Sequence, residues 1–261
     1  MTIVDACTYQ GKGGSPTAVL LDDGTLDDAA RRAVVRDAGT SHAAFVAGDA
    51  VRFFTTHGEL TNCGHGTLAA QAFLLHRSGR AEHHGSQRTG GRTFATTAVR
   101  RADGIEVWFD QGVIALPAGV PAGLDAILGA LGVGPDDLAG APAAASPGTP
   151  RLLVPVKAVH SIRPDLARLA AGCRRHGYLG CFVYTMAGDR AVARMFAPAI
   201  GVGEDIVNAN SAGCLAAHLH ATRGRSRIEV EQGHAAGRPS LVLATMRGPA
   251  TWIGGTCRIT G

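Results

Sequence analysis

Cys63-Gly64-His65 stand in direct succession, immediately before the apolar stretch Gly66-Thr67-Leu68-Ala69-Ala70. A thiol just ahead of a helix N-terminus gains thiolate character from the partial positive charge there. An imidazole two residues on titrates near neutrality and can either cap the helix or meet a substrate. Glu204 and Asp205 precede Asn210-Ser211 and a second small, apolar stretch through Leu215-Ala216-Ala217. His42 lies in a further loop. These residue types fit removal of a carbon-bound proton beside a carbonyl or within a diene. That step needs a desolvated base and dipoles facing the developing negative charge. Returning the proton to another carbon needs either one shuttling base or a base and an acid on opposite faces.

Both sets of groups depend on helices to aim them. The stretch through residue 76 is apolar on nearly all sides, as a buried, central helix is, and Gly79 ends it. A matching short helix runs over 211–219, and Gly224 stops it. The rest reads as strands at 2–9, 17–21, 43–46, 51–55, 93–99, 104–110, 151–156, 180–186, 191–196, 227–232, 240–246 and 251–259. Helices are expected over 26–37, 124–131 and 164–176. The halves repeat each other. Arg52-Phe53-Phe54 parallels Arg194-Met195-Phe196, and the two Leu-Ala-Ala triplets place Cys63 opposite Asn210 and Gly64 opposite Ser211. The expected fold is therefore α+β. It comprises two pseudo-symmetric half-domains, 1–116 and 117–261, each a mostly antiparallel sheet or barrel around a central helix. The two helix N-termini are expected to face one another across a cleft and hold a small carboxylic acid, with Gly64 and its neighbours open to close approach and Asn210 and Ser211 as caps and anion ligands.

Composition narrows the classes. With 261 residues, 46% hydrophobic and 18% charged, the chain reads as an ordinary soluble enzyme. A net charge of +4 with scattered basic residues argues against nucleic acid. The Arg31-Arg32, Arg100-Arg101 and Arg174-Arg175 pairs read as solvated surface. No apolar run reaches about 18 residues, so no membrane span is expected. The six cysteines form no CxxC pair, so neither zinc nor a disulfide framework is signalled. His83-His84 reads as part of a polar turn, and His218 and His220 do not share a helix face. No metal is expected, and the location expected is cytoplasmic.

At these residues the chain resembles the phenazine-biosynthesis-like isomerases, relatives of diaminopimelate epimerase. The matching segments are Gly14-Ser15-Pro16-Thr17-Ala18-Val19, Ser41-His42-Ala43-Ala44-Phe45-Val46, Cys63-Gly64-His65-Gly66-Thr67, Arg194-Met195-Phe196-Ala197-Pro198, Glu204-Asp205, Glu231-Gln232-Gly233 with Gly237-Arg238-Pro239-Ser240, and Gly254-Gly255. They run in order over essentially the whole chain. The resemblance implies the double-barrel epimerase fold, no metal or organic cofactor, and a homodimer. It also implies that Ser15, Gly254 and Gly255 border the substrate and that Asp205 points at it.

The departures are informative. The family's proton-shuttling glutamate position holds His42, a serine position holds Asn210, and the asparagine of the early Gly-Asn-Pro is Ser15. Cys63 occupies the place of the first thiol of the two-thiol epimerases, but its partner position is not Cys. An asymmetric pair, His42 or Cys63 with Asp205, favours a proton shift or double-bond isomerisation on a small unsaturated or amino-acid-derived acid. Phenazine-type and pyrroline-diene substrates of natural-product pathways are the types considered. An amino-acid epimerase or racemase, or a non-catalytic carboxylate binder, are the alternatives. Arg238 is expected to pair with a carboxylate and hold a loop.

Overall fold

A computed structural model describes residues Met1–Gly261. The chain divides into two compact units. The first comprises Met1–Asp110, Arg238–Leu241 and Ile253–Gly261; the second comprises Gln111–Gly237 and Val242–Trp252. The division at 116/117 read from the sequence lacks this return of the C-terminal strands to the first unit.

The first unit holds β1 (Thr2–Thr8), β2 (Ser15–Leu21), α1 (Asp28–Ala38), β3 (Ala43–Ala47), β4 (Ala50–Phe54), β5 (Glu59–Leu60), α2 (Gly64–Ser78), β6 (Glu82–Thr89), β7 (Arg92–Arg101) and β8 (Gly104–Gly112). The second contributes α3 (Leu124–Leu131), β9 (Ala143–Ala145), β10 (Arg151–Pro155), α4 (Leu166–His176), β11 (Cys181–Ala187), β12 (Arg190–Ala197), β13 (Val202–Asp205), α5 (Ala209–Arg223) and β14 (Arg227–Gln232). β15 (Ser240–Arg247) and β16 (Ala250–Ile259) have residues in both, and β8 ends with Gln111 and Gly112 in the second unit.

The pairing pattern repeats. β1–β2 and β9–β10 are antiparallel, and β2–β3 and β10–β11 are parallel. β3–β4 and β11–β12 are antiparallel hairpins. β5 and β13 each add an antiparallel strand to β4 and β12. β4–β6 and β12–β14 are parallel. In the first unit the order β1-β2-β3-β4-β6-β7-β8-β16 closes into a barrel, because β16 also pairs with β1, Val4 opposite Ile259. Closure leaves β1 no open edge, which is why the C-terminal residues belong with the N-terminal ones. Arg238 secures the same corner, donating to Asp5 Oδ1 at 2.7 Å and to the Gly14 carbonyl at 2.8 Å, as the sequence anticipates.

α2 packs against β1, β2, β3, β4 and β7. Every residue from Gly64 to Phe73 on it is buried, as its all-round apolar sequence requires. Its polar residues find partners. Gln87 donates to Thr67 and Thr89 and accepts from Gln71 at 3.0 Å, and Thr96 donates to Gln71. This network explains why β6 escapes sequence reading. The buried positions of β6 are Gln87 and Thr89, so the apolar alternation that marks a strand is missing. His83 and His84, expected in a polar turn, therefore lie in a strand. α5 is the counterpart of α2, buried over Ala209–Ala217 and packed on β9, β10 and β14.

Candidate active site

Cys63 is the N-cap of α2, in extended backbone conformation, and Gly64 and His65 form the helix's first turn. A Cβ on Gly66 would lie 2.8 Å from the Phe53 ring and 2.9 Å from Cys63 Sγ. A glycine here lets the first turn close on β4 while leaving room for the sulfur. His42, at the entry to β3, reaches the same place. His65 Nε2 lies 3.2 Å from His42 Nδ1 and 3.9 Å from Cys63 Sγ. The ligand atoms of all three residues fall within 4.8 Å of one another, and all three are buried.

His42 is fixed at both ring nitrogens. Its Nε2 is 3.1 Å from Thr17 Oγ1, and its Nδ1 is 2.8 Å from Ser41 Oγ. Burial pushes the Cys63 thiol up, but the electrostatic pull of the His42 and His65 rings and their hydrogen bonds outweigh it, holding the thiol down at about 5. Near neutral pH the sulfur is thus a thiolate beside two imidazoles. Cys257 shows the opposite case: burial, with the Asp5 charge adding to it, pushes its thiol up to about 12.

The second unit assembles a different set at the start of α5. Asn208 is the N-cap, accepting from Ser211 N–H at 3.0 Å through Oδ1. Its Nδ2 donates to Asp205 Oδ2 at 3.1 Å, and its backbone N–H donates to Gln232 Oε1 at 2.9 Å. Gln111 Nε2 donates to Asn210 Oδ1 at 3.2 Å. Ser211 Oγ turns toward Met195 sulfur, 3.6 Å away.

A model of the family described as phenazine biosynthesis-like protein matches residues 4–258. The chain belongs to this family. The trans-2,3-dihydro-3-hydroxyanthranilate isomerase of Pseudomonas fluorescens is 31% identical over 95% of this chain and 90% of its own length. The solved structure of a predicted epimerase from Pseudomonas aeruginosa superimposes with a TM-score of 0.84 at 28% identity, covering 100% of this chain and 96% of that one. A hydroxyproline epimerase from Agrobacterium vitis shares the fold, with a TM-score of 0.69 at 12% identity over 100% of this chain and 88% of that one. As a member of the phenazine biosynthesis-like family the chain is an enzyme of the isomerase class, with the epimerase-like fold. No helix is long and apolar enough to cross a membrane.

Within this family member, the sequence-derived candidates fall into two groups. His42, Cys63, Gly64 and His65 come together in the first unit. Ser15, buried in β2, lies on the same strand face as Thr17. Gly254 and Gly255 are in β16, where a Cβ would run into the Trp108 ring at 2.4 Å and Cys7 Sγ at 3.1 Å respectively, so close packing alone requires glycine at Gly254. Asp205, Asn210 and Ser211 belong to the second unit.

The structure also re-registers the internal repeat. Arg52 grips Glu59 with two bonds of 2.8 and 2.7 Å, and Arg194 grips Glu204 with two of 2.9 and 2.7 Å. Each guanidinium lies over a phenylalanine of its own strand, Phe54 or Phe196. Taking Glu59 with Glu204 also matches Leu60 with Asp205, the N-caps Cys63 and Asn208, and the C-caps Gly79 and Gly224, all without a gap. Cys63 thus corresponds to Asn208, and His65 to Asn210; the Leu-Ala-Ala triplets are two residues out of register. Glu204 is committed to its arginine, which leaves Asp205 as the distinctive acid of the second unit.

Thr17, Ser41, Asn208, Gln111 and Gln232 carry no role in the sequence reading. Thr17 and Ser41 do lie inside family-matching segments, but only the fold shows that their hydroxyls bracket one imidazole. A cavity of about 720 Å³ lined by Arg100, Arg101, Asp103 and Arg258 contains none of the clustered groups. Its basic groups are engaged: Arg100 bonds the Arg80 carbonyl and Arg101 bonds Glu106.

Proposed function

We propose that this chain is a cofactor-independent isomerase that moves a proton, and with it a double bond, on a small unsaturated or amino-acid-derived carboxylic acid. The observation that carries this reading is the buried Cys63–His65–His42 cluster, with its thiol held down at about 5. The thiolate, paired with the His65 imidazole, takes a proton from carbon, and the C–H electron pair moves into the conjugated system. The proton returns at another carbon of that system. His42, with both nitrogens engaged, acts through its neighbours by its electrostatic pull on the sulfur. Asp205 is the second acid/base group, on the strength of the family resemblance. The positive end of the α2 dipole, at an N-cap that makes no side-chain cap bond, suits the substrate's carboxylate.

The non-thiol residue matching Cys63 in the second unit, Asn208, weighs against a symmetric two-thiol racemase. Dihydroaromatic acids, of the kind named for the Pseudomonas fluorescens relative, and pyrroline carboxylates of natural-product pathways are the substrates to try first. Six free, buried cysteines fit a reducing, cytoplasmic setting.

The experiment is deuterium incorporation from heavy water into a panel of amino acids, dihydroaromatic acids and pyrroline carboxylates, read by NMR and mass spectrometry. Wild type should label one compound at the carbon that gains the proton. Cys63→Ala and Asp205→Ala should each slow this by about 10²–10⁴-fold, the usual range for a proton-transfer group. Thermal stabilisation by a panel acid without any exchange would reject the isomerase reading in favour of a carboxylate binder. Label confined to an α-carbon with loss of optical purity would reject it in favour of a racemase.

A further inference from the structure

We infer that His42, Cys63 and His65 also form a binding site for a soft divalent metal ion, with Zn²⁺ as the type case. The donor set is one thiolate sulfur and two imidazole nitrogens, which suits zinc and its neighbours over magnesium or calcium. Two of the three spacings fit as well. Around a tetrahedral zinc, with its usual bond lengths, two nitrogens stand roughly 3.3 Å apart and a nitrogen and a sulfur roughly 3.6 Å. Here His42 Nδ1 and His65 Nε2 are 3.2 Å apart, and Cys63 Sγ is 3.9 Å from His65 Nε2. The third edge stays within 4.8 Å.

The surroundings supply what a metal-bound imidazole ordinarily has. The far nitrogen of His42 is 3.1 Å from Thr17 Oγ1, a contact that holds the ring; with the hydroxyl accepting, Nε2 carries the proton and Nδ1 is left for the metal. Ser41 Oγ, 2.8 Å from that Nδ1, places a hydroxyl oxygen beside the site. Three protein ligands leave a fourth position for water or another donor, as in open zinc sites. Binding displaces any protons on the three ligand atoms to solvent and forms three metal–ligand bonds, with no change of oxidation state. Coordination ties up the imidazole lone pairs and lowers the basicity of the sulfur, so an occupied site is a poor base for a carbon-bound proton and zinc should inhibit reversibly. That consequence rests on the isomerase reading, whereas the binding itself does not.

Cobalt(II) separates the two questions, because its spectrum reports ligands without any turnover. Chelator-stripped protein, kept reduced with a phosphine, is titrated with Co²⁺ and then with Zn²⁺. One equivalent of cobalt should produce a thiolate-to-cobalt charge-transfer band and the intense visible bands of four-coordinate cobalt, and zinc should bleach both. Cys63→Ser should lose the charge-transfer band, and Thr17→Val should bind cobalt about tenfold or more weakly. In the wild type, one equivalent of Zn²⁺ should protect Cys63 from alkylation, read by peptide mass spectrometry, and leave Cys173 unchanged. No charge-transfer band in the wild type, a band that survives in Cys63→Ser, or alkylation of Cys63 indifferent to zinc would each overturn the proposal.

Discussion

The His42 and His65 rings meet edge to face, with centroids 4.2 Å apart and planes inclined by 75°. Residues 23 positions apart in sequence thus become partners across their ring nitrogens. One ring comes from the entry to β3 and the other from the first turn of α2, and both bear on the same sulfur. The chemistry of that sulfur is a property of the pair.

Cys63 should titrate as a thiolate. Ultraviolet thiolate absorbance should rise with a midpoint near pH 5, and Cys63→Ser should remove this transition. The sign for stability follows from linkage. Above about pH 5 and below the ordinary thiol value of 9.0, the unfolded chain holds a proton that the folded chain has released. Stability therefore increases with pH through that interval, and this contribution disappears as pH falls through about 5. Denaturant melts of wild type and Cys63→Ser between pH 4 and 8 measure it as the difference in slope.

Removing His42 should act through the sulfur. His42→Gln takes away the strongest influence that lowers the thiol, so the thiolate midpoint should rise toward the ordinary value. Thr17→Val removes one hydrogen bond and leaves the ring in place. That loss is worth about 0.5–1.5 kcal/mol, or roughly 2–10-fold in kcat, with little change in KM. A shift in the thiolate midpoint in His42→Gln together with thermal stability unaltered below pH 5, where the thiol is protonated in both proteins, would separate positioning from folding.

Gly66 should resist even alanine. The added methyl would crowd Cys63 Sγ and the fully buried Phe53 ring, costing about 1–3 kcal/mol in a packed interior. The sulfur must also move, so exchange activity should fall by more than the stability loss accounts for. Thermal melts and exchange rates on the same preparation test both parts.

The two arginine–glutamate grips should differ in worth. Arg52 and Glu59 are 40% and 41% exposed in their side chains, whereas Arg194 and Glu204 are 11% and 27% exposed. Arg194 also donates to the Ile162 carbonyl at 2.7 Å. Arg52→Ala should therefore cost about 0–1 kcal/mol, and Arg194→Ala about 1–3 kcal/mol. β13 carries both Glu204 and Asp205, so Arg194→Ala should lower kcat as well, while Arg52→Ala should not. Chemical denaturation and steady-state rates of the two variants give the comparison.

Much of this protein is legible from local sequence because local physics decides it. α2 and α5 are apolar on every side, which only a buried helix tolerates, and Gly79 and Gly224 stop them in left-handed conformations that favour glycine. Cys63, Gly64 and His65 announce a reactive helix N-terminus, and Asp205 follows from its place in a family motif. Tertiary structure decided the rest. β6 buries glutamine and threonine, satisfied by side chains of α2 and by the Val51 carbonyl of β4, so no alternation of hydrophobicity reveals it. The return of β16 to β1 depends on closing a barrel, a long-range pairing with no local signal. The matching of Cys63 to Asn208 came from caps and ion pairs, against a misleading similarity of Leu-Ala-Ala triplets. Above all, the bracketing of His42 by Thr17 and Ser41, and its approach to His65 and Cys63, requires three chain segments to converge. The sequence determined which groups could move a proton; only the fold decided which of them share one charge.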